Sequence, residues 1–340
     1  MKKVVTFGEI MLKLSTIGHQ RFVQSKQMNV EYAGAEANVA VSLANFDIPV
    51  SFVSKVPDND FGQAACDTLR TYGISTEFVV KGGQRMGIYF AEKGASQRPS
   101  KVIYDRKNSA ISTAEMTDFE WGTIFNGAQW FHFTGITPAL SPNLAEICLQ
   151  ACQLAKKMGL TVSCDLNYRS KLWSKEVARK TMRRLAEYID ICIANESDIA
   201  DVFGIESEEN DVEHGKIKDE AYDKIAAELL GKFPFRMLAI TKRESISADD
   251  NNWSASLYKG NERFHSRLYH LHIVDRIGSG DAFAAGLIYG LLNGFDAQKT
   301  IDFATASSCL KHSIEGDFNL VSVAEVESLM NNNFTGRIQR

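Results

Sequence analysis

The 340-residue chain carries 38 lysines and arginines against 42 aspartates and glutamates, a formal charge of −4, with 44% hydrophobic and 24% charged residues. These are ordinary values for a soluble globular protein of one or two domains. No long basic run points to nucleic acid, and no stretch approaches the roughly 20 apolar residues of a membrane span.

The N-terminus, Met1-Lys2-Lys3-Val4-Val5-Thr6-Phe7-Gly8, starts like a signal peptide, but Glu9 and Lys13 cut the apolar run too early. A cytoplasmic protein is therefore expected. Val4–Phe7 reads as a buried strand. From Met11 to Tyr32 the pattern alternates and turns polar, as in a half-exposed hairpin. Ala35–Phe46 reads as a helix, Val50–Val53 as a strand and Phe61–Tyr72 as a helix stopped by Gly73. A second alternating pair, Gly87–Glu92 and Ser100–Tyr104, flanks the turn residues of Gly94–Pro99.

Beyond Ala110 short apolar runs alternate with amphipathic segments: Trp130–Phe133, helix Leu144–Met158, Thr161–Asp165, helix Lys175–Tyr188, Ile189–Ala194, helix Ala221–Leu230, Met237–Thr241. That alternation predicts an α/β fold with a mostly parallel sheet between helical layers. Polar alternating strands and buried parallel strands rarely share a sheet. Residues 11–32 and 86–107 are thus expected to form a small antiparallel β lid. Residues 1–10, 33–85 and 108–340 make up the core. Glu206–Glu220 reads as a solvated insertion and Asp249–Asn252 as a hairpin tip. The six cysteines are scattered and read as reduced core thiols rather than zinc ligands. His270 and His272 read as structural.

The chemistry concentrates in Val274-Asp275-Arg276-Ile277-Gly278-Ser279-Gly280-Asp281-Ala282-Phe283. A strand-like segment, Tyr269–Val274, leads through a Gly-rich turn into an apolar helix that Gly294 stops. Glycines let successive N–H groups converge, and the helix N-terminus adds free donors and positive charge. Gly278, Ser279 and Gly280 so form an anion cradle suited to a phosphoryl group. A carboxylate beside it, Asp281, suits a reaction in which a hydroxyl must lose its proton. Spacing alone leaves equal room for Asp281 as a helix cap. Walker and complete dinucleotide motifs are absent.

At these residues the chain resembles the pfkB, ribokinase-like, carbohydrate kinases. Their C-terminal signature, Asp-Thr-x-Gly-Ala-Gly-Asp-x-Phe, corresponds to Asp275–Phe283. Their Gly-Gly-x-x-x-Asn-x-Ala corresponds to Ala33-Gly34-Ala35-Glu36-Ala37-Asn38-Val39-Ala40. Within the family it is most similar to 2-keto-3-deoxygluconate kinases, through Gly8–Met11, Tyr104-Asp105-Arg106, Ser109-Ala110 and Asp165-Leu166-Asn167-Tyr168-Arg169 with Leu172-Trp173.

The resemblance implies a ribokinase-like three-layer fold and ATP-dependent phosphorylation of 2-dehydro-3-deoxy-D-gluconate on its C6 hydroxyl. Asp281 would be the base and Gly278–Asp281 the anion hole. It further implies a sugar site of Gly34, Asn38, Tyr89, Tyr104, Arg106 and Arg169, closed by Asp317. Both arginines suit a carboxylate. ATP would meet Asn167, Asn195, Thr241, Gly278 and Gly280. Asp198, where the family has glutamate, would act indirectly on Mg2+; K+ is a further candidate cofactor. Partners implied are the sugar acid, ATP and a second copy joined through the lid. Arg243, Arg276 and Ala33 depart from the pattern on the nucleotide side. A kinase of a neutral sugar such as fructose or ribose stands as an alternative, as does a sugar sensor without catalysis.

Overall fold

The computed structural model describes residues 2–206 and 219–331, so nearly all of Glu206–Glu220 lies outside it. In chain order come β1 (Lys3–Phe7), β2 (Met11–Thr16), β3 (Met28–Ala33), α1 (Ala35–Asn45), β4 (Val50–Val56), α2 (Asp60–Thr71) and β5 (Val79–Lys81). Next are β6 (Ile88–Glu92), β7 (Lys101–Asp105), α3 (Trp121–Ile124), β8 (Ala128–Thr134), α4 (Ile136–Ala139), α5 (Pro142–Lys157) and β9 (Thr161–Asp165). Then follow α6 (Lys175–Ala186), β10 (Ile191–Ala194), α7 (Glu196–Phe203), α8 (Asp219–Lys232), β11 (Met237–Ser245) and β12 (Asp250–Lys259). The chain closes with β13 (Glu262–His265), β14 (Tyr269–His272), α9 (Ser279–Leu292), α10 (Ala297–Lys311) and α11 (Val323–Met330).

The large sheet runs β13-β12-β11-β10-β9-β8-β1-β4-β5, with β14 also paired to β12. From β11 to β5 every pairing is parallel; β12 and its partners add an antiparallel edge. Buried apolar strands explain why: with helices on both sides, neither face can be polar. Alternate side chains of β1 and β8 go to opposite cores. Val5, Phe7, Phe131 and Phe133 pack with α5–α8, whereas Val4 and Trp130 pack with α1, α2, α9 and α10. The result is the expected three-layer α/β fold.

The small sheet, β3-β2-β6-β7, consists of two antiparallel hairpin-like pairs, and β2 and β6 join them in parallel register. Its strand β2 is more buried than its alternating pattern suggested. Lys13 is only 2% exposed because its ammonium meets Asp317 at 2.7 Å and Glu31 at 2.9 Å. Around the expected hairpin tip, Asp250–Asn252 already belong to β12, and the turn is made one step earlier, where the Ser247 hydroxyl accepts from the N–H groups of Asp249 and Asp250. Five cysteines are buried and all six are free. His270 and His272 bond exposed side chains of Asn252 and Asp250 at the edge of β12. Among the described residues no helix is long and apolar enough to cross a membrane.

Candidate active site

Parallel strands of such a sheet deliver their following loops to one edge, the usual place for a ligand crevice. Here a cavity of about 560 Å³ opens beyond the C-terminal ends of β1, β9, β10 and β11 and is bounded on another side by β6 and β7. Glu9, Asp165, Asn167, Asn195 and Thr241 reach it from the strand ends; Gly34 and Asn38 reach it from the start of α1. Tyr89, Tyr104 and Arg106 come from the small sheet, and Gly278–Asp281 from the start of α9. Arg169, Asp198 and Asp317 complete the set. Every site residue expected from sequence therefore lines one cavity.

The turn before α9 is built for close approach. Gly278 has φ +83°, and a Cβ there would stand 2.0 Å from the Asp317 carbonyl oxygen, so only glycine fits. Asp275 holds the turn from behind: its carboxylate accepts from the N–H groups of Ile277 and Gly316, each at 3.1 Å. Buried Lys311 donates to the Ile314 carbonyl at 3.0 Å and to that of Asp275 at 3.5 Å. No side chain caps α9, so its first-turn N–H groups are left for a ligand. Gly280 faces open space where a Cβ would sit. An anion the size of a phosphoryl group fits this bare backbone.

Asp281 sits at this helix start, 8% exposed. It is not the helix cap, since Gly278 holds that position. Its Oδ2 accepts from Asn38 Nδ2 at 2.7 Å, which joins two motifs 243 residues apart. Burial lifts its pKa to about 7, against the Asn38 hydrogen bond; the charges of Glu36 and Asp317 add to the rise. Asp198 is likewise pushed up to about 7 by burial, while Arg169 pulls it back. It accepts from Asn195 Nδ2 at 3.0 Å and from the Tyr168 N–H at 3.2 Å. Burial raises Asp165 well above the ordinary carboxylate range, and the nearby Asp198 and Asp281 add to it.

Around the small sheet, the Tyr89 hydroxyl donates to Asp317 Oδ2 at 2.5 Å, and the Tyr89 and Tyr104 rings lie 5.9 Å apart. The Arg106 guanidinium sits 5.4 Å from the Tyr104 ring. Arg106 is also held by the buried carboxylate of Glu9, through Nε at 2.8 Å and through Nη2. Sequence reasoning gave Glu9 no role, although it stands in the Gly8–Met11 motif that carried part of the resemblance. It also missed Glu36, whose buried carboxylate accepts from the Thr134 and Thr137 hydroxyls at 2.7 Å and fixes the start of α1 against β8. The signal was one acid within an otherwise small and apolar helix.

The pfkB carbohydrate kinase family model matches residues 1–319. The chain belongs to that family. It is a carbohydrate kinase, and it matches its relatives over most of their lengths. The solved structure of a 2-dehydro-3-deoxygluconokinase from Thermotoga maritima is 52% identical and superposes with a TM-score of 0.94, covering 97% of this chain and 100% of that one. A 2-dehydro-3-deoxygalactonokinase from Haloferax volcanii is 32% identical over 96% of both chains. At 22% identity and a TM-score of 0.80, a ribokinase-like protein from E. coli, solved with ATP and Mg2+, shares the fold over 98% of this chain and 100% of its own.

Proposed function

We propose that this carbohydrate kinase transfers the γ-phosphoryl group of ATP to the C6 hydroxyl of 2-dehydro-3-deoxy-D-gluconate. The observation that carries the reading is Asp281: a carboxylate poised near neutrality, aligned by Asn38, beside uncapped helix donors. With the sugar's hydroxyl against Asp281, its proton passes to the carboxylate as the oxygen attacks the γ-phosphorus. The bond to the β-phosphate oxygen breaks, and ADP leaves with that electron pair. Amides of Gly280 and Asp281 are placed to stabilise charge on the transferring group. Mg2+, held mainly by phosphates and water, would neutralise phosphate charge; Asp198 and Asn195 are the residues suited to orient its shell.

The sugar lies between α1 and the small sheet, which acts as a lid and excludes water from the reaction. Arg169 and the Nη1 group left free by the Glu9–Arg106 pair supply donors for the substrate carboxylate. That same pair motivates a second reading. Glu9 cancels much of the charge of Arg106, which favours a neutral sugar. A coupled assay over 2-dehydro-3-deoxygluconate, its galactonate epimer, fructose and ribose decides between them. We expect kcat/KM on the keto acids to exceed that on either neutral sugar by about tenfold or more, the worth of one charge-assisted hydrogen bond. The reverse ranking would sink the acid assignment.

A further inference from the structure

Four arginines line the cavity, and they are not equivalent. Arg106 is locked to Glu9, and Arg169 donates to the Tyr168 carbonyl at 2.9 Å. Arg243 and Arg276, among the described residues, have no ion pair and no side-chain hydrogen bond. Arg276 stands where the family's C-terminal signature has threonine.

Their positions converge. Arg243 lies on β11 opposite Trp253 of β12, two residues beyond Thr241. Arg276 lies two residues before Gly278, in the loop that the Asp275 carboxylate ties down. The two are close enough to feel one another: partial burial together with the charge of Arg243 drops the pKa of Arg276 to about 10. Glu196 is the acid beside Arg243, but it is not within ion-pair distance and one of its own oxygens is buried without a partner. Asp198 also acts on Arg243 from a distance, but with no acid among the described residues at ion-pair distance of either arginine, two like charges held together cost stability in the empty protein. Such an arrangement persists where a ligand supplies the missing negative charge, and planar guanidinium forks match phosphate oxygens.

We propose that Arg243 and Arg276 form a paired clamp on the α- and β-phosphates of the nucleotide donor, on the far side of the Gly278–Asp281 turn from the sugar. The clamp steadies the polyphosphate in the ground state and takes up the charge that collects on the β-phosphate as the γ-group departs. The proposal rests on the kinase reading above, with ATP as donor.

Calorimetric titration of AMP and ADP, without sugar, tests it. The wild-type protein is expected to bind ADP at least about tenfold more tightly than AMP. In Arg243→Gln and Arg276→Gln both nucleotides bind more weakly, but ADP, which also loses its β-phosphate contact, weakens more, so its preference over AMP shrinks toward unity. Arg276→Lys keeps the charge but not the fork and should fall between. Because each Gln variant relieves repulsion, its melting temperature without ligand should equal or exceed that of the wild type, whereas its gain in melting temperature on adding ADP shrinks. A Gln variant that loses melting temperature and keeps the ADP preference would overturn the clamp in favour of a structural role. A wild-type protein that binds no nucleotide would overturn the choice of donor as well, so the two failures are told apart.

Discussion

Asp281 carries the most specific consequence at the scale of single residues. Its carboxyl must be ionised to accept a proton, and burial holds its pKa at about 7 rather than near 4. We therefore expect log kcat/KM for the sugar to fall with unit slope below about pH 7 and to level off above it, provided the chemical step limits the rate. Asp281→Asn should lower kcat at least about a hundredfold, the lower end of general-base effects, with the acidic limb abolished. Stability moves the other way. A carboxyl whose folded pKa is raised binds more protons folded than unfolded, so its contribution declines as pH rises from about 4 to about 7. Asp281→Asn removes that penalty, so the variant should melt above the wild type at pH 8, with the gap closing near pH 4. A variant that melts lower at pH 8, or that keeps its rate, would refute the assignment. Sequence alone offered this residue two roles, base or cap. Its partner decided between them: Asn38 lies 243 positions away, and no local pattern records a hydrogen bond of that span.

Among the elements, the small sheet and the Gly278 turn are joined through one side chain. Asp317 accepts from Lys13 of β2 and from Tyr89 of β6, while its own carbonyl crowds Gly278. Burial pulls the Lys13 ammonium down, yet Asp317 and Glu31 more than compensate, and it ends above its ordinary value. The lysine is therefore a fixed charge at every working pH. Asp317→Ala strands it with half-exposed Glu31 alone. Stability is expected to fall by about 3 kcal/mol, the low end for breaking a buried pair. KM for the sugar is expected to rise more than KM for ATP, since Tyr89 loses its anchor. Asp317→Asn keeps one oxygen as an acceptor for Lys13, and its amide nitrogen can donate to the Tyr89 hydroxyl, so it should recover part of the sugar KM. Melting curves and initial rates for both substrates check this, and equal effects on the two KM values would count against it. Elements like β2 explain where sequence reading ran short. Lys13 and Ser15 look solvent-facing because period-two alternation assumes one wet face. Both faces of β2 are in fact covered, and the ion partner of Lys13 comes from the far end of the chain. Helix α10 escaped notice for a related reason. Its buried residues interleave Ile301, Phe303 and Ala304 with Thr300, Thr305, Ser307 and Ser308, whose hydroxyls bond backbone carbonyls, which blurs the apolar period.

For the whole molecule, the strand-helix alternation was legible because parallel strands covered on both faces must be apolar runs, and their order along the chain limits the topology. Which edges stay open is not written in any one run. The four-stranded sheet ends in β3 and β7, and among the described residues neither outer edge is paired. Val23 is 92% exposed and Val30 62%, and Ile103 of β7 is also exposed. Natural sheets seldom leave apolar edge strands bare, because an unpaired ladder beside apolar side chains invites another chain. A second copy presenting the same strands can cover them about a twofold axis, the commonest oligomer symmetry. We expect a homodimer of about twice the 37.8 kDa chain mass at micromolar concentration by light scattering. Val30→Glu places a charge on that surface without touching the cavity, so it should shift the mass toward monomer. If the lid closes over the sugar only when braced by its partner, the sugar KM rises in step with dissociation. A wild-type protein that remains monomeric across that range would leave the edge strands to the lid's own motion and dismiss the dimer.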